Sequence, residues 1–345
     1  MIRTILAAAV YLLVVTAQAD DDLQAWIDEE VSSGKTLAIS AASLSDDELT
    51  YYAGGKLSPD GEAVPDQHSQ YEIGSITKSF TDLLLAEMVE RGAVSYDTTI
   101  ADILGDEVVF ANQDLPKITL LQLATHTSGL PRMPPDFAPT DPLDPFKGYD
   151  DAALYKSLGI TRDKQPLGNF YAYSNLGVGL LGHLLGRVHG AGYEAALEEL
   201  VLEPLGLGRT GFERAAGSVT AFSSGGVVKD WSIDSLAGAG SLRSTTADLM
   251  RLARIQLGLV DNPLAHDLAD DREIMTEAGA FDVTRVWHVG GSPEGDFFWH
   301  NGGTGGFDSF FGFRPSTGDA VAIIASGDSN PTARGLEWLG WDGPR

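Results

Sequence analysis

A chain of 345 residues without cysteine can make neither a disulfide framework nor a thiolate site, yet it is long enough to bury a sizeable core unaided. Its 49 acidic against 23 basic residues, a net charge of −26, argue against nucleic acid and anionic membranes as partners. Solubility of an exported protein accounts for that surface. Adaptation to a saline habitat is the sharper alternative, which stability falling with added salt would exclude.

Residues 1–19 read as a secretory signal, with Arg3 at the start, an apolar run from Ile5 to Val15, and Ala17-Gln18-Ala19 fitting cleavage after Ala19. The run is too short to span a bilayer, and no other segment reaches about 18 consecutive apolar residues. A mature chain from Asp20 is therefore expected to be soluble, periplasmic or secreted, and free of membrane after cleavage. No cysteine follows the cleavage site to accept a lipid.

The periodicity then predicts a helical stretch over Leu23 to Val31 and a hairpin of strands Thr36 to Leu44 and Leu49 to Tyr52, turning at Asp46-Asp47. From Ser75, helical spacing of Ile76, Phe80, Leu83, Leu84 and Met88 runs to a stop at Gly92. A helix over Leu120 to Ala124 leads into His126-Thr127-Ser128-Gly129-Leu130-Pro131. Residues 131–166 form a long loop rich in proline and aspartate, with one short helix near Ala152 to Leu158. Such length suits a functional lid. Helices follow over Leu176 to Val188 and Tyr193 to Leu202, and a third is capped by Ser244. Strands are expected at Val283 to Val289, Asp296 to His300, Phe307 to Phe313 and Ala320 to Ala325. The pattern is α+β: an antiparallel sheet built from both chain ends (about 36–72 and 280–326), flanked by helices, with a mainly helical region over about 75–260.

Three clusters carry chemistry. Ser75 and Lys78 are three residues apart at a helix start, so an amine can reach a hydroxyl on one helix face. The same spacing at Ser32 and Lys35 falls at a helix end and a glycine turn, facing solvent. Tyr173-Ser174-Asn175 precedes a helix. Its phenol, ionised beside a lysine, could shuttle protons, and its amide could hold Lys78 together with a substrate carbonyl. His300-Asn301-Gly302-Gly303 ends a strand, where glycines admit a substrate backbone and the Gly303 N–H could join that of Ser75 as an oxyanion pair. His183 and His189, six apart on a helix, face different ways, so no zinc pair is expected. His126 reads as a structural loop residue.

In this order the clusters resemble the serine hydrolases of the class C β-lactamase and penicillin-binding-protein superfamily, which show S-x-x-K, Y-x-N and then K-T-G or H-x-G. The resemblance extends to Tyr71-Glu72-Ile73-Gly74, the segment from Ala124 to Leu130, and Ala239 to Thr245, and it covers about residues 25–335. It implies an α/β sandwich of the β-lactamase/transpeptidase type in one hydrolase domain from residue 20 to 345, and no metal or organic cofactor. It also implies Ser75 as acylated nucleophile, Lys78 and Tyr173 as acid–base groups, and Asn175, His300 and Gly302 at the substrate. Ser75 and Gly303 would form the oxyanion hole. Where lysine is usual in the third triplet this chain has His300, a poorer cation for a substrate carboxylate. That favours small esters or D-amino-acid amides over efficient β-lactam turnover, with a β-lactamase or a D-alanyl-D-alanine carboxypeptidase as the alternative. A penicillin-binding or sensor protein without turnover is the reading from another class. No G-x-S-x-G elbow supports an α/β-hydrolase.

Overall fold

Alternating and then continuous apolar runs at the two ends of the chain meet in one sheet. The computed structural model describes residues 22–162, 170–264, 276–277, 282–341 and 343; the expected signal segment lies outside these. Residues 22–32 form helix α1. Strands β1 (Thr36–Ser45) and β2 (Glu48–Gly55) follow as the expected hairpin, with Asp46 and Asp47 both at positive φ in the turn. From the other end come β3 (Thr276–Glu277), β4 (Asp282–Val283), β5 (His288–Gly290), β6 (Phe297–Gly303), β7 (Phe307–Arg314) and β8 (Asp319–Gly327). The eight strands run β2-β1-β8-β7-β6-β5-β4-β3, and every pair is antiparallel.

β8 is buried along its whole length. Both its faces meet protein, which explains a sequence (Ala-Val-Ala-Ile-Ile-Ala) that is apolar throughout rather than alternating. On one face Ile323, Phe310, Phe297 and Trp299 pack with Leu23 and Ile27 of α1. On the other, Ile324, Phe311 and Phe313 join the larger helical core. Each such side chain contributes about 1.5–3 kcal/mol on burial.

The helical region contains α2 (Thr77–Glu90), α3 (Asp151–Ile160), α4 (Asn175–His189) and α5 (Thr246–Gln256), and α6 (Pro331–Trp338) follows β8. α2 is buried on all sides from Thr77 to Met88, so its polar residues need partners inside the protein. Asp82 finds Arg285 at 3.1 Å.

Two expected boundaries shift. Val283 to Val289 is not one strand but β4 and β5 separated by a turn, because Arg285 leaves the ladder to reach Asp82 and Tyr96. Thr245, not Ser244, caps α5, accepting from Asp248 N at 3.1 Å. Ser244 instead pairs with Tyr71 in a two-stranded ladder, and its hydroxyl lies 2.8 Å from that of Thr210.

Candidate active site

Ser75 sits in a single 3-10 turn, Gly74–Ile76, that feeds α2. The turn is tied on both sides. Ile73 N donates to Leu242 O at 3.0 Å, Leu242 N donates to Thr77 Oγ1 at 3.1 Å, and Ser309 Oγ of β7 donates to Ile73 O at 2.9 Å. Strand β6 then comes very close. A Cβ on Gly302 would stand 2.0 Å from Ile73 O and 2.8 Å from Ser75 N, and a Cβ on Gly74 (φ +50) would stand 2.6 Å from Gly303 N. Glycine at both positions is a steric requirement of bringing Ser75 and the strand together.

One turn into α2, Lys78 is fully buried. Its Nζ lies 3.0 Å from Ser75 Oγ and donates to Ala239 O at 2.6 Å. Burial, reinforced by the Arg132 charge, holds its pKa well below the usual lysine value. No carboxylate among the described residues forms an ion pair with it, so the amine is positioned as a base rather than a counterion.

Tyr173 arrives from the segment before α4. His126, at φ +58, accepts from Ser174 N through Nδ1 at 3.0 Å, and its carbonyl accepts from Ala172 N at 2.8 Å. Ser174 caps α4 by accepting from Gly177 N at 2.8 Å, and the Arg132 carbonyl accepts from Asn175 N at 2.9 Å. The segment from His126 to Arg132 is thus a bracket for Tyr173, whose ring lies 4.5 Å from that of His126. The expected structural role of His126 takes this concrete form. Lys78 Nζ and Arg132 Cζ each lie 4.9 Å from the Tyr173 ring centre. Burial pushes the phenol up to about 12, against the opposing effect of its hydrogen bond with Ser75. This corrects the expectation of a tyrosinate stabilised by lysine: with Lys78 inclined to neutrality, the phenol keeps its proton.

Asn175 faces the same cleft as Ser75, but it does not bond to Lys78 as expected. Its Nδ2 points at Met133 Sδ, 3.5 Å away, and its Oδ1 is buried without a hydrogen-bond partner among the described residues. Ala239 O takes the place on Lys78 that sequence reasoning gave to Asn175.

His300 also departs from expectation. It is buried, donates from Nδ1 to Asn301 O at 2.6 Å, and is not among the residues lining the cleft. Burial, with His288 and Lys78 nearby, keeps its pKa well below the usual histidine value. His288, 5.2 Å from it ring to ring, reaches the cleft instead, and burial beside Lys78 lowers its pKa to about 4. Both rings are therefore neutral at pH 7. His300 packs against Tyr173 and His288 borders the cleft as a neutral ring, so neither is a cationic seat.

The cleft has a volume of about 660 Å³ and is bounded by Ser75, Tyr173, Asn175 and Gly303, together with Phe137 and Phe146 of the long loop and Trp231. Trp231 is held there because its N–H donates to Glu72 at 3.0 Å, and Glu72 is paired with Arg243 at 2.8 Å. A smaller recess of about 40 Å³ adjoins Ser75, walled by Ile233, Leu236 and Phe146. A separate cavity of about 530 Å³, with Asp151, His183 and Glu194 on its wall, holds none of the sequence-predicted site residues. His183 faces Tyr155 and Asp151, whereas His189 faces Glu199. Among the described residues no group of three or more histidines and carboxylates could hold a metal.

A buried lysine on a serine, a tyrosine beside both and a glycine strand alongside form one constellation, and residues 23–342 match the β-lactamase family. The chain belongs to that family. It is 25% identical to the Escherichia coli K12 D-alanyl-D-alanine-carboxypeptidase/endopeptidase AmpH over 79% of this chain and 74% of that one. To penicillin-binding protein 4 of Amycolatopsis lactamdurans it is 26% identical, over 82% of this chain and 78% of that one. Among solved structures, a class C β-lactamase superposes with a TM-score of 0.82 at 17% identity, covering 93% of this chain and 96% of that one. The Sulfitobacter sp. EE-36 β-lactamase gives 0.80 at 20% identity, covering 94% and 97%. The fold is that of the class C enzymes, and the protein is a β-lactamase-like serine hydrolase.

Proposed function

We propose that the protein is an exported hydrolase that cleaves small esters or D-amino-acid amides through an acyl-enzyme on Ser75. One observation carries the reading: a fully buried Lys78, without a carboxylate partner among the described residues, placed 3.0 Å from Ser75 Oγ. The neutral amine takes the Ser75 proton as Oγ attacks the substrate carbonyl carbon. The N–H groups of Ser75 and Gly303 hold the developing oxyanion. Tyr173, still protonated, gives its proton to the leaving group and recovers one from Lys78. Water then attacks the acyl carbonyl, with the same groups exchanging protons in reverse. Export is supported by the N-terminal pattern, and no described helix is long and apolar enough to cross a membrane.

Two features favour small acyl donors without a carboxylate over β-lactams. His300 supplies no cation, and the recess beside Ser75 admits only a short apolar group. A second reading, a carboxypeptidase for D-alanyl peptides, is favoured by Arg132, which lines the cleft beside Tyr173 and could meet a leaving-group carboxylate. A parallel assay of p-nitrophenyl butyrate, nitrocefin and a D-alanyl-D-alanine peptide with wild type and Ser75→Ala separates these. Ester cleavage well above nitrocefin turnover, lost in Ser75→Ala, is expected. Full ester activity in Ser75→Ala would remove the nucleophile assignment, and nitrocefin outpacing the ester would overturn the substrate class.

A further inference from the structure

Among the described residues lining the cleft, two bear a formal charge, Arg132 and Asp308. They stand toward different ends of the strand that borders it. Arg132 covers Tyr173, whose ring is 6.4 Å from that of His300. From His300 the strand passes Gly302, packed on Ser75 N, and reaches Gly303, packed on Gly74. Three residues of strand advance about 10 Å, so Gly303 and its ladder partner Asp308 lie past the nucleophile from Tyr173. A Cβ on Gly303 would stand 3.1 Å from Asp308 Oδ1, so the carboxylate is immediately beside the proposed oxyanion strand.

Asp308 is half-buried, and among the described residues it has neither a cation nor a hydrogen-bond donor; its charged neighbour is a second carboxylate, Asp328. Burial and Asp328 push its pKa up to about 6, so it is mostly ionised at neutral pH. A carboxylate withdrawn from water without a countercharge is unfavourable. This one opens onto a substrate cleft, in a position where a negative charge would oppose an oxyanion unless a cation arrives with the substrate.

We infer that Asp308 binds an ammonium group on the acyl portion of the substrate, which narrows the substrate class to aminoacyl esters and amides with a free amine. The inference rests on the acyl-enzyme reading of Ser75. In that reading the leaving group departs at Tyr173, and the acyl group extends the other way, along Gly303 toward Asp308. The recess walled by Ile233 and Leu236 accepts a short side chain on the same acyl carbon. Arg132, on the leaving-group side, is not part of this contact.

The test compares D-alanine benzyl ester with propionic acid benzyl ester, which differ by the amine, at pH 7, where an α-amino group is mostly protonated. The ratio of their kcat/KM values is expected to favour the amine in the wild type and to fall at least about tenfold in Asp308→Asn, chiefly through KM. A wild-type measurement independent of the variant's folding is inhibition of propionyl ester turnover, expected with D-alaninol and not with 1,2-propanediol. An unchanged ratio in a folded Asp308→Asn, or equal inhibition by the two compounds, would overturn the role of Asp308 while leaving Ser75 as the nucleophile. Ester cleavage that survives Ser75→Ala would overturn both.

Discussion

Ser32 and Lys35 end helix α1 in open solvent, Ser32 Oγ donating to Glu29 O at 2.8 Å and both residues exposed. Ser75 and Lys78 have the same spacing, yet Lys78 is fully buried and its Nζ is 3.0 Å from Ser75 Oγ. Helical geometry can bring amine and hydroxyl together in both places. What differs is the surroundings: water around the head group of Lys35, and around Lys78 the carbonyl of Ala239, the ring of Tyr173 and the charge of Arg132. Desolvation turns an ammonium into a base. Spacing alone is no more than proximity.

The strongest way to break this contrast is to remove each lysine in turn. Lys78→Ala should lower kcat/KM for p-nitrophenyl butyrate by about 10²–10⁴, the usual worth of a positioned acid–base group. Lys35→Ala should leave it within experimental error. Comparable losses at the two sites, or a mild one at Lys78, would mean that burial is not what matters.

A smaller effect sharpens the role of the close strand, which has no counterpart at Ser32. In Gly302→Ala the new Cβ would meet Ile73 O at 2.0 Å, so β6 must move away from Ser75 N. Loss of one oxyanion donor costs about a hundredfold in kcat. The measurement is kcat for the same ester alongside a thermal melt. A folded Gly302→Ala with wild-type kcat would contradict the pairing of Gly303 with Ser75.

Much of this was legible in the sequence, for stateable reasons. The hairpin at Asp46-Asp47 and the helix after Ser75 follow from local periodicity, and the structure keeps them, with the returning strand running three residues further, to Gly55. Ser75, Lys78, Tyr173, Asn175, Gly302 and Gly303 do converge. His300 misled because its ring is buried against Tyr173 and His288, and those two line the cleft in its place. Arg132, His288 and Asp308 carried little local signal, because each matters mainly through what the fold lays beside it. For Arg132, its nearness to His126-Thr127-Ser128-Gly129 was a usable hint, and for Asp308, its place just after the glycine run. The partner of Lys78 could not be read at all, since a backbone carbonyl such as that of Ala239 leaves no trace in residue type.

The state of Lys78 is the point on which the account turns. With ¹³C-labelled lysine, its side-chain resonance can be identified by its disappearance in Lys78→Met and followed from pH 5 to 11. Burial and the Arg132 charge lower its pKa, so deprotonation should be complete well below the 10.5 of an ordinary lysine. A Lys78 that keeps its proton up to that value would be an ammonium at working pH, and it could not take the proton from Ser75.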